Sequence, residues 1–400
     1  MSLPLDRQTI SQVSATRVKP INHFAFAGLF SCLSLTRGIL LSVLPLRALE
    51  LLGDAQSVSV LFFAVSIIGI VTALTQHLMI RLLGSYHTYL LAVYSMALCA
   101  PLMAMDNVGG LLLGMVLHYF AVAALEVVSS LYVMHCIKRR ELTKFEPIRV
   151  FAVVIPLTIG PVLGVYLSTR ISDLTPFIIT AMAALLSFVY FRALGLHHIR
   201  LLESRNQSGN PITLIKRYAA QPRLRLAWGL ALARSSWWVT FIIYTPIFLH
   251  NAGIDDLVGA AVVSIGTAWT LTVPLWGWLG RVKGLRFLLT LGYTCAGLLT
   301  GVVFLFAGDA YLMAGLLVVA ALGATILDGA GNVLFFRAVR PLERGEMTGI
   351  FLTYRDIGQL APPGLFAVML KFLALPTVFI AAAVWMLAGA GLSRHIPKRM

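Results

Sequence analysis

"HLMIRLLGSY", His77 to Tyr86, and "GWLGRVKGLR", Gly277 to Arg286, stand 200 residues apart. Each closes a long apolar run with an arginine and leads through a tight basic turn into the next run. Other residues repeat at nearly the same interval: Arg37 with Arg234 (197), Glu126 with Asp328 (202) and Arg149 with Arg355 (206). Pro156 and Pro362 lie seven residues beyond the last pair. Small drifts in the interval are changes in loop length, so the chain reads as one design written twice.

Composition says what the design is built for. The chain of 400 residues is 59% hydrophobic and 12% charged, with mean hydropathy +0.87. That is more apolar surface than a water-soluble fold of this length buries, so the bilayer is its solvent. About 20 apolar residues in a helix cross the roughly 30 Å of hydrocarbon. Twelve runs qualify: 23–48, 56–80, 87–105, 107–137, 149–169, 174–195, 226–250, 257–280, 285–307, 310–336, 349–371 and 375–393, called spans 1 to 12. Span 1 follows a polar tail with Arg7, Arg17 and Lys19 and itself holds Arg37, so it reads as an uncleaved span and not a signal peptide. The expected fold is an all-α integral membrane protein of two pseudo-symmetric six-helix bundles, 23–195 and 226–393. A cytoplasmic tail (1–22), a linker (196–225) and a second tail (394–400) complete it. Within the linker, Asn210 and Pro211 cap and open a short helix whose Ile212, Leu214, Ile215 and Tyr218 lie on the membrane surface.

A net charge of +15 in a soluble protein would suggest nucleic acid. Here the distribution decides. With both termini inside, 26 of the 31 Lys and Arg fall on the cytoplasmic side; only Arg47, Arg170 and Lys371 fall outside, and Arg37 and Arg234 lie within spans. This is the positive-inside asymmetry, so the charge records topology, and no nucleic-acid partner is expected. Cys32, Cys99, Cys136 and Cys295 are scattered without metal or redox spacing and read as packing residues. Neither a Walker motif nor a HExxH pair occurs, and no cofactor or metal is expected.

Over essentially its whole length the chain resembles the major facilitator superfamily. In "GWLGRVKGLR", Gly277, Leu279, Gly284 and Arg286 match that family's loop motif, with Arg281 standing where the motif has an acid. The first copy keeps Gly84, again has Arg81 in place of the acid, and ends on Tyr86. "GPVLG", Gly160 to Gly164, resembles a span 5 motif of proton-driven exporters, with Val165 where a second Gly follows there. The resemblance implies transport by alternating access in a bacterial inner membrane, by a monomer, with spans 1, 4, 7 and 10 lining a central cavity. It also implies acids that lock the halves at the cytoplasmic face. Because Arg81 and Arg281 invert that charge, the expected locks are Arg81 to Asp356, beside Arg355, and Arg281 to Glu146, beside Arg149.

An arginine at mid-bilayer costs at least about 2.5 kcal/mol, so Arg37 and Arg234 should face the cavity or a partner. The cavity offers Glu126 to Arg37 and Asp328 to Arg234. These pairs either stitch spans 1 to 4 and 7 to 10, or exchange protons as exposure alternates. Alternatively the two arginines form a fork for phosphate or carboxylate; the resemblance implies a similar arginine pair in organophosphate exchangers, and a span 1 arginine with a span 4 acid in organic-anion symporters. "RSSWWVTFIIYTP" adds a stripe of Trp237, Trp238, Phe241 and Tyr244, which either packs or holds an amphipathic substrate. Asp328 and Asn332, four apart, share one helical face. His118 lies two turns before Glu126 and is either a cavity residue or a packing histidine. Prolines 45, 156, 161, 246, 274, 362 and 363 should let their helices bend. The leading expectation is proton-coupled efflux of a small amphipathic molecule. Organic-anion import or exchange comes second, and a metal transporter, membrane enzyme or receptor is more remote.

Overall fold

The computed structural model describes residues 23–137, 141–199, 211–306, 308–340 and 343–396. Arg7, Arg17, Lys19, Asn210 and the side chain of Ile212 lie outside the described residues. Span 1 is two helices, His23–Gly38 and Leu40–Leu52. Spans 2 and 3 form one helical run, Ala55–Met103, interrupted at Gly84. Spans 4, 5 and 6 are Val108–Cys136, Leu142–Arg170 and Thr175–Ala193. After the linker helix Pro211–Ala219, span 7 is Pro222–Asn251. Span 8 is Asp256–Ala268, a tighter turn Trp269–Thr272, then Val273–Lys283. Span 9 is Leu285–Leu305, span 10 is Ala310–Ala330 with Val333–Ala338, span 11 is Arg344–Met369 and span 12 is Thr377–Ser393.

The two halves agree down to single residues. Gly53 and Gly253 end spans 1 and 7 at φ 80° and 76°. Gly84 and Gly284 turn spans 2 and 8 into 3 and 9 at φ 79°, ψ 158° and φ 93°, ψ 153°, a backbone that excludes any side chain. Asp54 and Asp255 cap spans 2 and 8 through their carboxylates, and Asn107 and Asp309 cap spans 4 and 10. The turn and cap residues are therefore duplicated with the helices.

Within each half, a small-residue seam sets how the cavity-lining helix sits. A methyl built on Gly160 would overlap the Gly38 backbone, and one on Gly164 the carbonyl of Ile39. Span 1 breaks at Ile39, where it presses on this seam of span 5. In the second half a methyl on Gly358 of span 11 would strike Ser235 of span 7. "GPVLG" thus has a packing job: its glycines let two backbones meet beside Arg37. Without a hydrophobic drive between helices in lipid, such close approach is what holds them together.

The prolines also release backbone carbonyls. Helices run through Pro45, Pro156, Pro161, Pro246, Pro362 and Pro363, and only Pro274 sits where a helix restarts. A helical proline has no N–H, so the carbonyl four residues earlier loses its partner. Pro161 releases the Leu157 carbonyl and Pro363 the Gln359 carbonyl. Each has a hydroxyl of the opposite half within reach: Thr267 Oγ1 of span 8 lies 3.5 Å from the Leu157 carbonyl and Ser66 Oγ of span 2 lies 3.3 Å from the Gln359 carbonyl, as the longer arms of bonds each hydroxyl shares with its own helix, to Val263 and Ser264 at 2.9 Å and to Phe62 at 2.7 Å. The two junctions are related by the internal repeat.

These contacts also show which end is closed. The halves meet through Leu40–Leu52 of span 1 against span 7, span 2 against span 11, and span 5 against Asp256–Ala268 of span 8. Among the described residues the further hydrogen bonds joining the halves are Ser59 with Tyr244 at 2.8 Å, Gln56 to the Ala367 carbonyl at 3.2 Å, and the Val162 N–H to Ser264 at 3.2 Å. All lie between mid-membrane and the end away from the basic loops. None of these bonds lies at the end that carries the basic loops. There the linker helix is tied to the second half, with Arg217 and Gln221 donating to Glu343 at 2.8 and 3.2 Å and holding its carboxyl below the usual range.

Gly160→Leu should destabilise the protein by about 1–3 kcal/mol or more, because backbone and not a pliable side chain occupies the space. Gly391→Ala, with nothing within 4 Å, should not; thermal unfolding in detergent compares them. Combining Ser66→Ala with Thr267→Ala strands two carbonyls only when the outer side is closed. Spin-label distances between the cytoplasmic ends of spans 2 and 11 should then shorten, as the population moves outward-facing.

Candidate functional site

Span 10 carries the centre of the site because it fails as a helix at one point. It ends at Ala330, Gly331 adopts φ 49°, ψ −130°, and Asn332 opens the next short helix. A helix end leaves carbonyls without intrahelical donors, and in a membrane something else must supply them. Arg234 of span 7 does so: its guanidinium donates to the Leu327 carbonyl at 3.3 Å and to the Gly331 carbonyl at 3.5 Å. The cation also meets the negative end of the helix dipole. Its Nε lies 3.4 Å from Asp328 Oδ1, and its remaining nitrogen is 3.4 Å from the Tyr354 hydroxyl of span 11.

The Asp328 second oxygen accepts from the Trp238 indole at 3.1 Å. Tyr354 lies between two arginines, with Arg234 5.9 Å and Arg355 6.0 Å from its ring centre. Arg234, Trp238, Asp328 and Tyr354 thus form a connected polar cluster from spans 7, 10 and 11. A cavity of about 20 Å³ beside Arg234, lined also by Tyr293, Leu327 and Gly331, has room for roughly one water.

The expected pair Arg234–Asp328 is therefore present. Its counterpart is not. Arg37 is exposed and makes no ion pair among the described residues; it lies near His118 and Tyr119 of span 4, on which its charge acts. Glu126 is exposed too, and the cation it acts on is Arg149. Arg149 is itself bound by Glu146, three residues earlier, with Nε to Oε2 at 2.9 Å, and stacks over Phe30 at 5.4 Å. Span 4 does not break near Glu126, so Arg37 has no helix end to cap, and the pairing differs between halves.

The aromatic stripe divides. Trp237 is 1% exposed, stacks on Phe241 at 5.2 Å and donates to Thr300 of span 9 at 2.9 Å, so both rings are packing within the second half. Tyr244 is fully buried and bonds Ser59 across the halves at the outer junction. Trp238 alone stays beside the charge cluster. Asn332 no longer shares a helical face with Asp328, because the break intervenes. His118 is buried with Nδ1 3.2 Å from the Met96 sulfur, a packing histidine.

At the cytoplasmic end the expected locks are open. Arg81 and Arg281 are exposed and pair with no acid among the described residues; Glu146 is held by Arg149, and Asp356 is half-buried beside Arg355. None of the hydrogen bonds that join the halves among the described residues lies at that end. Among the described residues no three of His, Cys, Asp and Glu gather as metal ligands. Sequence reasoning missed Tyr354, Gly331 and Ser66. "DGAGN", with Gly331 between Asp328 and Asn332, carries the signal for the break.

The geometry can be set against known proteins. A search of curated proteins finds no match. Among solved structures, the nucleoside transporter NupG is similar with TM-score 0.73 and 15% identity, covering 93% of this chain and 98% of that one. The peptide transporter POT in complex with sulfate is similar with TM-score 0.73 and 15% identity, covering 99% of both chains. At such identities these likenesses establish the fold alone. The sequence model of the Major Facilitator Superfamily matches residues 26–363, and the chain belongs to that family.

Proposed function

We propose that this chain is a proton-coupled secondary transporter of a bacterial inner membrane, exporting a small amphipathic molecule by alternating access of its two six-helix bundles, with Glu126 and Asp328 as the acids that exchange protons. The observation that carries the reading is the unequal state of two acids at repeat-related positions. Asp328 faces a guanidinium and an indole, whereas Glu126 stands exposed with no ion pair among the described residues. An acid that gains or loses a cation as the halves rock changes its hold on a proton, which links conformation to the gradient. Trp238 places one aromatic face beside that charge, suited to an amphipathic solute. The likeness of "GPVLG" to exporters supports the direction.

A second reading is favoured by one observation: Arg37 is an exposed arginine without an acid partner, and Arg355 bonds only the neighbouring Tyr354 hydroxyl, both among the described residues. Positive charge left over in the cavity suits a carboxylate or phosphate, and then the substrate is an organic anion.

In proteoliposomes, Glu126→Gln and Asp328→Asn should each abolish pH-gradient-driven transport while the purified protein still unfolds cooperatively. Transport retained in both removes the acids from coupling. Arg37→Gln separates the readings: an anion carrier loses binding of its carboxylate or phosphate ligand by at least about ten-fold, since a charge-assisted hydrogen bond is worth about 1.5–3 kcal/mol. An exporter of uncharged or cationic molecules retains its affinity.

A further inference from the structure

Spans 7 and 12 leave a groove of about 400 Å³ between them at the cytoplasmic end of the second half. Arg223, Arg225 and His395 line it together with Leu226, Gly229 and Leu392. Helical register separates these residues by depth. Arg223 and Arg225 lie in the first turn of span 7, and Gly229 is roughly 9 Å further into the membrane than Arg223 at about 1.5 Å per residue. His395 follows the end of span 12, and Leu392 sits one turn deeper. The groove is therefore cationic where headgroups lie and apolar where acyl chains begin.

The three cationic or ring side chains are exposed, and among the described residues none is engaged in an ion pair or side-chain hydrogen bond. This contrasts with Arg217, a few residues earlier, which is tied to Glu343. Two unpaired arginines just beyond a basic linker helix are an electrostatic well for an anion at the membrane surface. The floor argues for what the anion is attached to. Gly229 has nothing within 4 Å of where a side chain would stand, so the groove deepens there, and Leu392 is 45% exposed on the same side. A dissolved anion gains nothing from such a floor, whereas a hydrocarbon chain fills it.

We propose that this groove binds an anionic phospholipid of the cytoplasmic leaflet, its phosphate held by Arg223, Arg225 and His395 and an acyl chain lying along Leu226, Gly229 and Leu392. The site is separate from the Arg234–Asp328 cluster and does not depend on what the protein carries.

The test uses the full-length protein purified in detergent and mixed with cardiolipin, phosphatidylglycerol or phosphatidylcholine, with bound lipid counted by native mass spectrometry. Anionic lipids should be retained over phosphatidylcholine. The double variant Arg223→Gln with Arg225→Gln should lose roughly thirty-fold in apparent affinity, since each surface cation contributes on the order of five-fold. Gly229→Leu, which keeps the charges and fills the floor, should also lose the lipid, and it decides the matter if the double variant does not fold. Excess inorganic phosphate should fail to displace the lipid from the wild type. Equal retention of phosphatidylcholine, unchanged binding in Gly229→Leu, or displacement by phosphate would overturn the proposal, the last leaving a bare anion site.

Discussion

Hydrocarbon offers no donor to a carbonyl that has lost its own. Much of this molecule's architecture follows from where the chain releases carbonyls and what it sends to meet them. Pro161 and Pro363 release one each in spans 5 and 11, and hydroxyls of Thr267 and Ser66 in the opposite half reach them while also bonding carbonyls of their own helices. Gly331 ends span 10 early, and Arg234 crosses from span 7 to satisfy the exposed end. In the first case the released group becomes a contact between the two halves. In the second it fixes a half-buried arginine next to an acid, so that each charge helps to solvate the other.

The internal repeat shows which of these devices are structural and which have diverged. Turn glycines, helix caps, the small-residue seams and the proline-released carbonyls occur in both halves, because each half must fold by the same packing rules. The charges do not obey the repeat. Arg234 is held by a broken helix and Asp328, whereas Arg37 stands at the break in its own span and leaves Glu126 to Arg149. Divergence between otherwise duplicated halves falls on the ionisable residues, where a transporter needs its two sides to differ.

The spans and their two-fold repetition were legible in the sequence, since hydropathy is set by the bilayer and the interval by the repeated design. Arg234–Asp328 was legible as well, because a mid-membrane arginine must find a partner and span 10 had one polar face. Arg37–Glu126 was not. Repeat logic carried the pairing across, but pairing depends on a helix break that span 10 has and span 4 has not. The aromatic stripe failed for a related reason: helical spacing gives a shared face but not what covers it, and span 9 covers Trp237 while span 2 of the other half covers Tyr244. Arg81 and Arg281 are legible as a charge inversion of the family's gate acids. Their partners depend on the conformation, and this structure leaves them apart.

The same contacts bear on how easily the halves rock. The outer junction is held by a handful of hydrogen bonds, each worth only about 1 kcal/mol net, and by apolar surface that lipid solvates nearly as well as protein does. Opening it requires the Leu157 and Gln359 carbonyls to find other donors, and water entering an outward-facing cavity supplies them. The cost of reversing the closed side is then a few kcal/mol, within what a bound substrate can shift. Prolines placed one turn beyond the junction thereby make the interface specific in register yet weak in energy. A continuous helix there would offer no acceptor, and an apolar interface alone would offer no register.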